Sequence, residues 1–424
     1  MPIGHEVVIT GMGVVSPVGC DLAELVSDLS AGRSGIQLCE PRWLEKKFPG
    51  GVVPRSFAGE FTKLELPFLD RCQQMAIVAA KQAIVDAGCG DFSGYKQRAG
   101  LFYGTVRGGA ETEQAGYEQI LIEHKNARPF MVMAMMHNAG AAQISIRHQI
   151  LGPVITHSTA CASSGTAIGE ALRAIRDGYL DIAVAGGAEA PLTPGVFWVF
   201  DATRALAVPD TLDVGRSCRP FAKDRAGLVL SEGATFIVLE SVEHAKQRGA
   251  PCYAALSGYG VASDAYHIAG PQAQGEATAM RLALEDAGLA PERIDYLNAH
   301  ATATRGGDIV EANAIHLAFG DAAQTLPVSS TKSLHGHLLG ATSALELVIT
   351  VVAMTESFFP ATAYLDGIDP ECDLNHIANS PVFSRQIEHA MSFSSGFGGT
   401  NVALVISKHR EMPAKRPSIS VLSS

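Results

Sequence analysis

The sequence lacks the features of a secreted, disulfide-bonded or nucleic-acid-binding protein. Its eight cysteines are scattered over 424 residues and include no C-x-x-C pair, so neither a disulfide framework nor a zinc site is expected. Reduced thiols of this kind indicate a cytoplasmic setting. The formal net charge of −11 excludes the basic footprint of general nucleic-acid binding. An acidic partner still fits, provided that it meets a local basic patch.

The sequence also lacks a signal peptide and a clear membrane span. Residues 7–10 run directly into the glycine-rich residues 11–13, with Glu6 before them and no basic segment. The longest apolar run, residues 344–354, is shorter than the roughly 18 residues that span a bilayer, and it contains Glu346. We therefore expect a soluble protein with no membrane contact.

What is abundant is apolar sequence, organised as an α/β protein. Hydrophobic residues make up 47% of the chain and charged residues 18%, which indicates a compact protein with a large core. Because 424 residues exceed one usual domain, two domains or two fused halves are expected. Short β-branched runs alternate with alanine-rich helical segments, which is typical of the α/β class. Strand-like runs lie at residues 7–10, 182–185, 236–239 and 402–405.

Four segments of the first half recur in the same order in the second half. The pairs are residues 11–16 and 258–263, 83–88 and 283–288, 103–105 and 300–302, and 158–161 and 330–333. This series predicts an internal duplication with a boundary near residue 250, although chance similarity among alanine- and glycine-rich segments is the alternative. Two βα halves would face each other about a pseudo-two-fold axis, so that strand ends distant in sequence share one site.

Cys161 lies in the run Thr-Ala-Cys-Ala-Ser-Ser-Gly, between a strand-like segment at 153–155 and a helical pattern from Gly165. A thiol at such a turn lies at the positive end of the helix dipole, which favours the thiolate. Its small neighbours would let a substrate approach closely. Alone, the segment fits a buried structural cysteine slightly better than a reactive one.

Segments of the second half carry the other polar groups. His300, in Asn-Ala-His-Ala-Thr-Ala-Thr, ends a strand-like run and is followed by Asp308. Residues 329–340 contain Lys332 and His337 and lead into a helix that carries Glu346, and the loop Gly-Phe-Gly-Gly-Thr-Asn precedes the last strand. A lone histidine is more often structural than catalytic, and a lone Gly-Gly loop is usually a turn.

Metal binding is a further alternative for two of the histidines. His335 and His337 are two residues apart, but no carboxylate or thiolate lies at ligand spacing from them. No metal site is therefore predicted.

Taken together, Cys161, His300, Lys332, His337 and the loop 396–401 resemble the β-ketoacyl-[acyl-carrier-protein] synthases of the thiolase superfamily, of the elongating type with a Cys-His-His triad. The resemblance covers nearly the whole chain. Further matching segments are residues 7–13, 185–189, 219–221 and 263–267. It implies a thiolase-like α/β fold, in which two duplicated βα halves form a layered αβαβα arrangement. We expect an N-terminal half at 1–250, a C-terminal half at 251–410, and a polar tail at 411–424.

The resemblance implies an acyltransferase that performs a decarboxylative Claisen condensation in fatty-acid, polyketide or polyene elongation. Cys161 would take the acyl group from a carrier-protein thioester. Malonyl-carrier protein would then lose CO₂, and His300 and His337 would stabilise the enolate as neutral imidazoles. Lys332 would hold a histidine or carboxylate, with Glu346 as its partner. No free cofactor is implied, since the phosphopantetheine arm arrives on the acyl carrier protein.

Other residues take roles through the same resemblance. The backbone N–H groups of Cys161 and Phe397 would form the oxyanion hole, and Phe397 would also be the gate between the acyl tunnel and the malonyl side. Thr302 and Thr304 match the threonines that bind the phosphopantetheine arm, and Asp308 is a supporting residue. The expected acyl-pocket residues are Arg107, Met133 and Phe200.

The chain departs from the family pattern at several positions. Ala301 stands where the family has glycine, and a positive φ there would cost about 1 kcal/mol. Ser395 replaces a frequent phenylalanine, which would widen the pocket or loosen the gate. Arg107 replaces a small aliphatic residue; pointing inward it would demand a polar or short acyl chain, whereas the cost of burying a charge favours an outward side chain.

Methionines crowd the segment that lines the tunnel and dimer interface in the family. They are Met131, Met133, Met135 and Met136. Methionine adapts to irregular ligands, although ordinary core packing explains the cluster equally well. Together the departures favour an unusual acyl chain, such as a polyene or polyketide intermediate.

Other members of the superfamily fit less well. A chain-length factor would lack the nucleophile, which is present here as Cys161. A thiolase would have a second cysteine in the late glycine-rich loop, whereas Cys372 lies outside it. A priming synthase of the Cys-His-Asn type is disfavoured by His337. The alternative function is the ketosynthase subunit of a type II polyketide heterodimer, active only with its chain-length factor.

The expected partners follow from the same resemblance. Because carrier proteins are acidic, a basic docking patch is expected, with Arg71, Arg128 and Arg204 as candidates by position or, alternatively, as solvated surface residues. Family members are dimers, so we expect a homodimer, with a heterodimer as the alternative.

Overall fold

The structure, a computed structural model, describes residues 4–415 and 417, in which strands and helices alternate. The strands are β1 (Val7–Val15), β2 (Ile36–Cys39), β3 (Phe48–Gly51), β4 (Ala99–Gly104), β5 (Val154–His157), β6 (Ile182–Glu189), β7 (Leu230–Ser231), β8 (Gly233–Ser241), β9 (Ala254–Ser263), β10 (Tyr296–Asn298), β11 (Pro327–Ser329), β12 (Phe358–Phe359), β13 (Asn375–His376), β14 (Val382–Phe383), β15 (His389–Gly396) and β16 (Thr400–Ser407). The helices are α1 (Leu22–Ala31), α2 (Arg71–Asp86), α3 (Ala110–Leu121), α4 (Met131–Met135), α5 (Ala139–His148), α6 (Ser163–Arg176), α7 (Pro194–Ala202), α8 (Val242–Gln247), α9 (Ala273–Ala287), α10 (Arg305–Phe319), α11 (Lys332–His335) and α12 (Thr342–Glu356).

An 11-stranded sheet has the order β13-β11-β10-β15-β16-β9-β1-β8-β6-β4-β5. Its two halves meet where β1 pairs with β9 through Val8–Ala255 and Ile9–Ala254. Outward from this junction, the two halves have the same order of antiparallel and parallel pairings, along β1-β8-β6-β4-β5 in the first and β9-β16-β15-β10-β11 in the second. In both halves the first two pairings are antiparallel and the next two are parallel. This repeated topology supports the predicted duplication.

The helices form layers on the two faces of this sheet. Helices α6 and α12 pack against each other and against strands of both halves, so they form the central layer. Helices α2 and α5 cover the outer face of the first half, α9 covers that of the second, and α10 packs against α9. The α/β class and the αβαβα layering are thus those expected from the sequence.

Glycines in the two central strands let the outer helices approach closely, once in each half. A Cβ at Gly13 of β1 would lie 2.1 Å from the Ala79 carbonyl oxygen of α2, and a Cβ at Gly260 of β9 would lie 2.0 Å from the Ala279 carbonyl oxygen of α9. Only glycine tolerates such backbone contact. The recurring Gly-x-Gly segments therefore have the same packing cause in both halves.

One helical stretch, Leu339–Glu356, is long and apolar enough to cross a membrane, although the sequence alone shows no such uninterrupted run. It consists of α12 and the short 3₁₀ turn before it, and 89% of it is buried inside the fold. It is the central core helix, and its composition reflects contact with protein on all sides.

The first residues of the expected polar tail pack on the core. Met412 is buried, and the Cys252 N–H donates to the Pro413 carbonyl oxygen over 3.0 Å. Lys415 Nζ donates to the Thr10 carbonyl oxygen and lies 3.0 Å from Asp86 Oδ1. Residue 416 and residues 418–424 of the tail lie outside the described residues.

Candidate active site

Cys161 lies in a tight turn that joins β5 to α6. Ala160 has a positive φ of 50°, and Ser163 Oγ accepts from the Thr159 N–H and donates to the Ala160 carbonyl oxygen. Ser343 Oγ, at the start of α12, donates to the Cys161 carbonyl oxygen over 3.1 Å. The nucleophile is thus held by both central helices at the N-terminal end of α6.

Two histidines of the second half reach the thiol. His337 Nε2 lies 2.9 Å from Cys161 Sγ, and His337 Nδ1 lies 2.9 Å from Thr342 Oγ1. The His300 ring stands at 84° to the His337 ring, with centroids 5.5 Å apart. The sulfur and one nitrogen of each ring all lie within 4.8 Å of one another. The structure therefore brings together Cys161, His300 and His337, as expected.

A carboxylate that the sequence did not reveal positions His300. Glu311 of α10 accepts the N–H groups of His300 and Ala301, each over 2.6 Å. Because two hydrogen bonds to one buried carboxyl group hold this backbone, the segment after β10 is fixed where the imidazole faces Cys161.

Lys332 and Glu346 form an ion pair beneath the histidines. Lys332 Nζ lies 2.5 Å from Glu346 Oε1, and both side chains are fully buried. Burial raises the pKa of Glu346 to about 7 and the contact with Lys332 opposes this rise. The sequence named Glu346 as the partner of Lys332, and the two side chains do meet.

Burial and the charge on Lys332 determine the protonation of the triad. Burial raises the pKa of Cys161 to about 11, although the Lys332 charge and the Phe397 N–H lower it. Burial, then the Lys332 charge, holds the pKa values of His300 and His337 well below the usual range. A neutral thiol therefore faces two neutral imidazoles at physiological pH. The helix dipole was expected to favour the thiolate, but burial has the larger effect on the pKa of Cys161.

A cavity of about 830 Å³ opens onto the triad. Its wall includes Thr302 and Thr304, whose hydroxyl groups lie 3.2 Å apart, and Phe397, which is 48% exposed at the glycine-rich loop. Phe200 lines the cavity as predicted, and the exposed Arg204 and Arg305 also line it. Because its wall includes both the buried Cys161 and exposed residues such as Arg204, the cavity connects the thiol with the protein surface.

Models of one protein family match both halves of the chain. The family model described as "Beta-ketoacyl synthase, N-terminal domain" matches residues 5–245, and that described as "Beta-ketoacyl synthase, C-terminal domain" matches residues 253–366. The chain belongs to the β-ketoacyl synthase family. It is accordingly an enzyme, an acyltransferase of the ketosynthase type that uses no free cofactor.

Relatives match over nearly the full length of the chain. The 3-oxoacyl-[acyl-carrier-protein] synthase 2 of Staphylococcus aureus strain COL is 39% identical over 416 residues, which cover 96% of this chain and 99% of the relative. The protein of the same name from Coxiella burnetii strain RSA 493 is 38% identical, with 95% and 99% covered.

Solved structures of ketosynthases have the same fold. A β-ketoacyl synthase from Burkholderia phymatum STM815 superposes with a TM-score of 0.87 at 34% identity, and the ishigamide ketosynthase/chain length factor with 0.88 at 32%. A type II polyketide ketosynthase, in complex with its acyl-carrier protein and bound to the hexaketide, gives 0.87 at 30%. Each match covers 96% of this chain and 100% of the other. The thiolase-like fold predicted from the sequence is confirmed.

Two residues expected in the acyl pocket of this ketosynthase lie elsewhere. Arg107 and Met133 are outside the cavity wall, and each is about half exposed. Glu189 accepts the N–H groups of Val106 and Arg107, which turns Val106 into the cavity and Arg107 outward, 3.6 Å from Glu113. The outward orientation favoured by the cost of burying a charge is the one found.

The backbone strain expected at Ala301 lies two residues later. Ala303 has a φ of 64°, whereas Ala301 is not among the residues with positive φ. Asp308 supports this loop from α10, because it accepts the Phe221 N–H over 2.8 Å and lies 3.5 Å from Arg225. Arg225 in turn donates to the Thr304 carbonyl oxygen over 3.0 Å.

Several site residues were missed at the sequence level. They are Glu189, Arg225, Glu311 and Thr342. Glu189 closes the segment Ala-Gly-Gly-Ala-Glu, which matched the family, and Glu311 lies three residues after Asp308, so both had a positional signal. Nothing in the local sequence distinguishes Arg225 or Thr342 from polar residues that lie on the surface.

Proposed function

We propose that this ketosynthase condenses an acyl group held on Cys161 with malonyl-acyl carrier protein, giving a β-ketoacyl-carrier protein. The observation that carries the proposal is the 2.9 Å contact between Cys161 Sγ and His337 Nε2, with His300 in the same cavity. The Lys332 charge helps to keep both histidines neutral, and Glu346 is paired with Lys332.

The first half-reaction is acyl transfer. Cys161 Sγ attacks the carbonyl carbon of the incoming thioester, a C–S bond to Cys161 forms, and the bond to the arm sulfur breaks. The proton of the Cys161 thiol passes to the leaving sulfur, so the step balances. The N–H groups of Cys161 and Phe397 stabilise the tetrahedral oxyanion, a role supported by their interaction with the sulfur.

The second half-reaction is condensation. The malonyl carboxylate leaves as CO₂, and the electron pair of the broken C–C bond forms an enolate. His300 and His337, neutral because of burial and Lys332, stabilise its oxygen by N–H donation. The enolate carbon attacks the acyl carbonyl on Cys161, and the released thiolate takes a proton from solvent.

The carrier protein delivers both substrates on its phosphopantetheine arm. Thr302 and Thr304 in the cavity wall are the proposed hydrogen-bond partners of the arm, and the exposed Arg204 and Arg305 at the cavity form the proposed docking patch. Arg71 is not part of that patch, because it does not line the cavity and its guanidinium group makes two 2.7 Å hydrogen bonds to Glu232.

Arg128, the third candidate for docking, is exposed but lies away from this cavity. It lines a separate cavity of about 330 Å³ and does not line the one that opens onto the triad. We therefore assign it no role in delivery of the arm.

Assembly as a dimer is supported by the free edge of the sheet. Strand β5 is the last strand of the order, and Val154 and Ile155 are 39% and 42% exposed. Edge strands with apolar side chains are favourable pairing surfaces. We propose a homodimer formed across β5, with a ketosynthase/chain-length-factor heterodimer as the second candidate, because solved neighbours are such complexes.

We further propose fatty-acid or polyketide chain elongation as the pathway and the cytoplasm as the location. The relatives are named 3-oxoacyl synthases, and the eight cysteines are free, which suits a reducing compartment. The halves at 1–250 and 251–410 are proposed as duplicated units, supported by the repeated strand order.

Intact-mass analysis tests the proposal. The protein is incubated with a panel of acyl-carrier proteins, with Cys161→Ala as the matched control, and then with malonyl-carrier protein. An acyl adduct on the wild type alone, released as a product two carbons longer, is the expected result. A wild type that takes no acyl group from any donor, alone or with a chain-length factor, would overturn it.

A further inference from the structure

A second carboxyl group lines the catalytic cavity, and the proposed condensation does not use it. Glu276 lies in the first turn of α9 and is 2% exposed. It shares the cavity wall with His300 and Ser395. Its Oε2 atom is buried and has no hydrogen-bond partner among residues 4–415 and 417. A buried carboxyl oxygen of this kind needs a partner, and the cavity is where one can arrive.

The surroundings of Glu276 favour its neutral form. Glu311 and Asp308 face it from α10 and Asp264 faces it from the segment after β9, while a hydrogen bond from the Ser395 hydroxyl of β15 opposes their effect on the pKa. Burial and these like charges raise the pKa of Glu276 well above its usual range. Glu311 accepts two backbone N–H groups and is therefore the better anion of the pair. The proton stays on Glu276.

Ser395 lies beside Glu276 in the cavity wall. The family often has phenylalanine at this position, and a phenyl ring would stand beside Glu276 in the wall. With serine, the polar groups of Glu276 and Ser395 form one patch next to the gate residue Phe397.

We propose that Glu276 is a specificity-determining residue whose carboxyl O–H donates a hydrogen bond to a neutral carbonyl oxygen of the substrate. The proposal rests on the proposed condensation. Burial beside Asp308 and the other carboxyl groups disfavours an anionic ligand, so the ligand is an uncharged acceptor. It has two sources: an amide carbonyl of the phosphopantetheine arm, or a keto oxygen on the acyl chain.

Steady-state kinetics of Glu276→Ala and Glu276→Gln test the role. Glutamine keeps the size and an N–H donor, and alanine removes both. We expect E276A to raise the KM for acyl-carrier protein about tenfold with a smaller effect on kcat, and E276Q to restore it to within about threefold. The KM of the wild type should also rise with pH, as Glu276 loses its proton, and that of E276Q should not.

The substrate panel distinguishes the two sources. An equal loss with saturated and keto-bearing acyl chains of one length assigns the arm, and a loss confined to the keto-bearing chain assigns the acyl group. Glu285→Ala, an exposed change on the same helix, is the matched control. If E276A does not fold, Ser395→Phe should raise the KM by covering the carboxyl.

Two results overturn the proposal: an unchanged KM in E276A, or an E276Q as impaired as E276A at every pH. Intact mass is recorded in parallel. A wild type that acquires no acyl group on Cys161 overturns the proposed condensation itself, whereas normal acylation with an unchanged KM overturns only the role of Glu276.

Discussion

Replacing Lys332 with methionine should destabilise the fold strongly. Lys332 Nζ lies 2.5 Å from Glu346 Oε1, and both side chains are fully buried. The other carboxylate oxygen, Glu346 Oε2, has no partner among the described residues, so the lysine is the only counter-charge in hydrogen-bond contact. Breaking a buried ion pair from one side costs about 3–5 kcal/mol. Part of the cost here is protonation of Glu346, because its pKa, already raised to about 7 by burial, rises further without Lys332.

A double-mutant cycle tests that magnitude. In Lys332→Met/Glu346→Leu, both charges are replaced by side chains of similar volume, which is often close to neutral for a buried pair. We expect the double variant to be more stable than Lys332→Met and the coupling energy to be at least about 2 kcal/mol. Urea unfolding followed by circular dichroism measures it. Losses that simply add would refute the coupling.

The same substitution should change the pH dependence of the reaction. The Lys332 charge helps to hold the pKa values of His300 and His337 below 6.5. Without it both pKa values rise, so the imidazoles gain protons at a higher pH and the acid limb of the condensation rate moves upward. Lys223→Met, at an exposed position, is the control. An acid limb that does not move in Lys332→Met would show that burial alone keeps the histidines neutral.

Three further predictions concern stability. Burial raises the pKa of Glu189 from 4.5 to about 7. Its contribution to the free energy of unfolding is therefore fully present below pH 4.5 and is lost as the pH rises through 7. In urea unfolding, Glu189→Gln should remove up to about 3 kcal/mol of this pH dependence. Ala303→Gly should stabilise by about 0.5 kcal/mol by relieving its positive φ, and Ala301→Gly should destabilise by a similar amount; equal effects would contradict the loop geometry. Gly13→Ala should lower the thermal midpoint, costing about 1–3 kcal/mol, whereas Gly59→Ala, with open space around it, should not.

The fold could be predicted where a local sequence pattern reflects a single packing requirement. The segments around Gly13 and Gly260 look alike because each lets a helix approach a central strand, and this contact repeats with the duplication. Features that depend on contacts between residues distant in sequence were not predicted. The packing of Lys415 against Thr10 and Asp86 joins residues far apart in the chain, so no local pattern announces it.

For the site, the sequence supplied the residue types that carry the chemistry, and the structure supplied their environment. Cys161, His300 and His337 were expected together and lie together. The protonation of Cys161 was not predictable from its turn, since the helix dipole is a local effect and burial is a tertiary one. The outward direction of Arg107 was expected from the cost of burying a charge, but its structural cause was not, because Glu189 of β6 holds the backbone N–H of Arg107.

The duplication also explains why neither half can hold this site alone. The turn at Cys161 is fixed by Ser343 Oγ, and the Ala344 N–H donates to Ser164 Oγ over 3.0 Å, so the N-terminal ends of α6 and α12 are tied to each other. In the opposite direction, the His337 N–H donates over 2.7 Å to the carbonyl oxygen of Val229, a residue of the first half. Each half therefore fixes the reactive residue of the other. Because the 2.9 Å contact between Cys161 and His337 spans this junction, changes in how α6 packs on α12 act directly on the nucleophile.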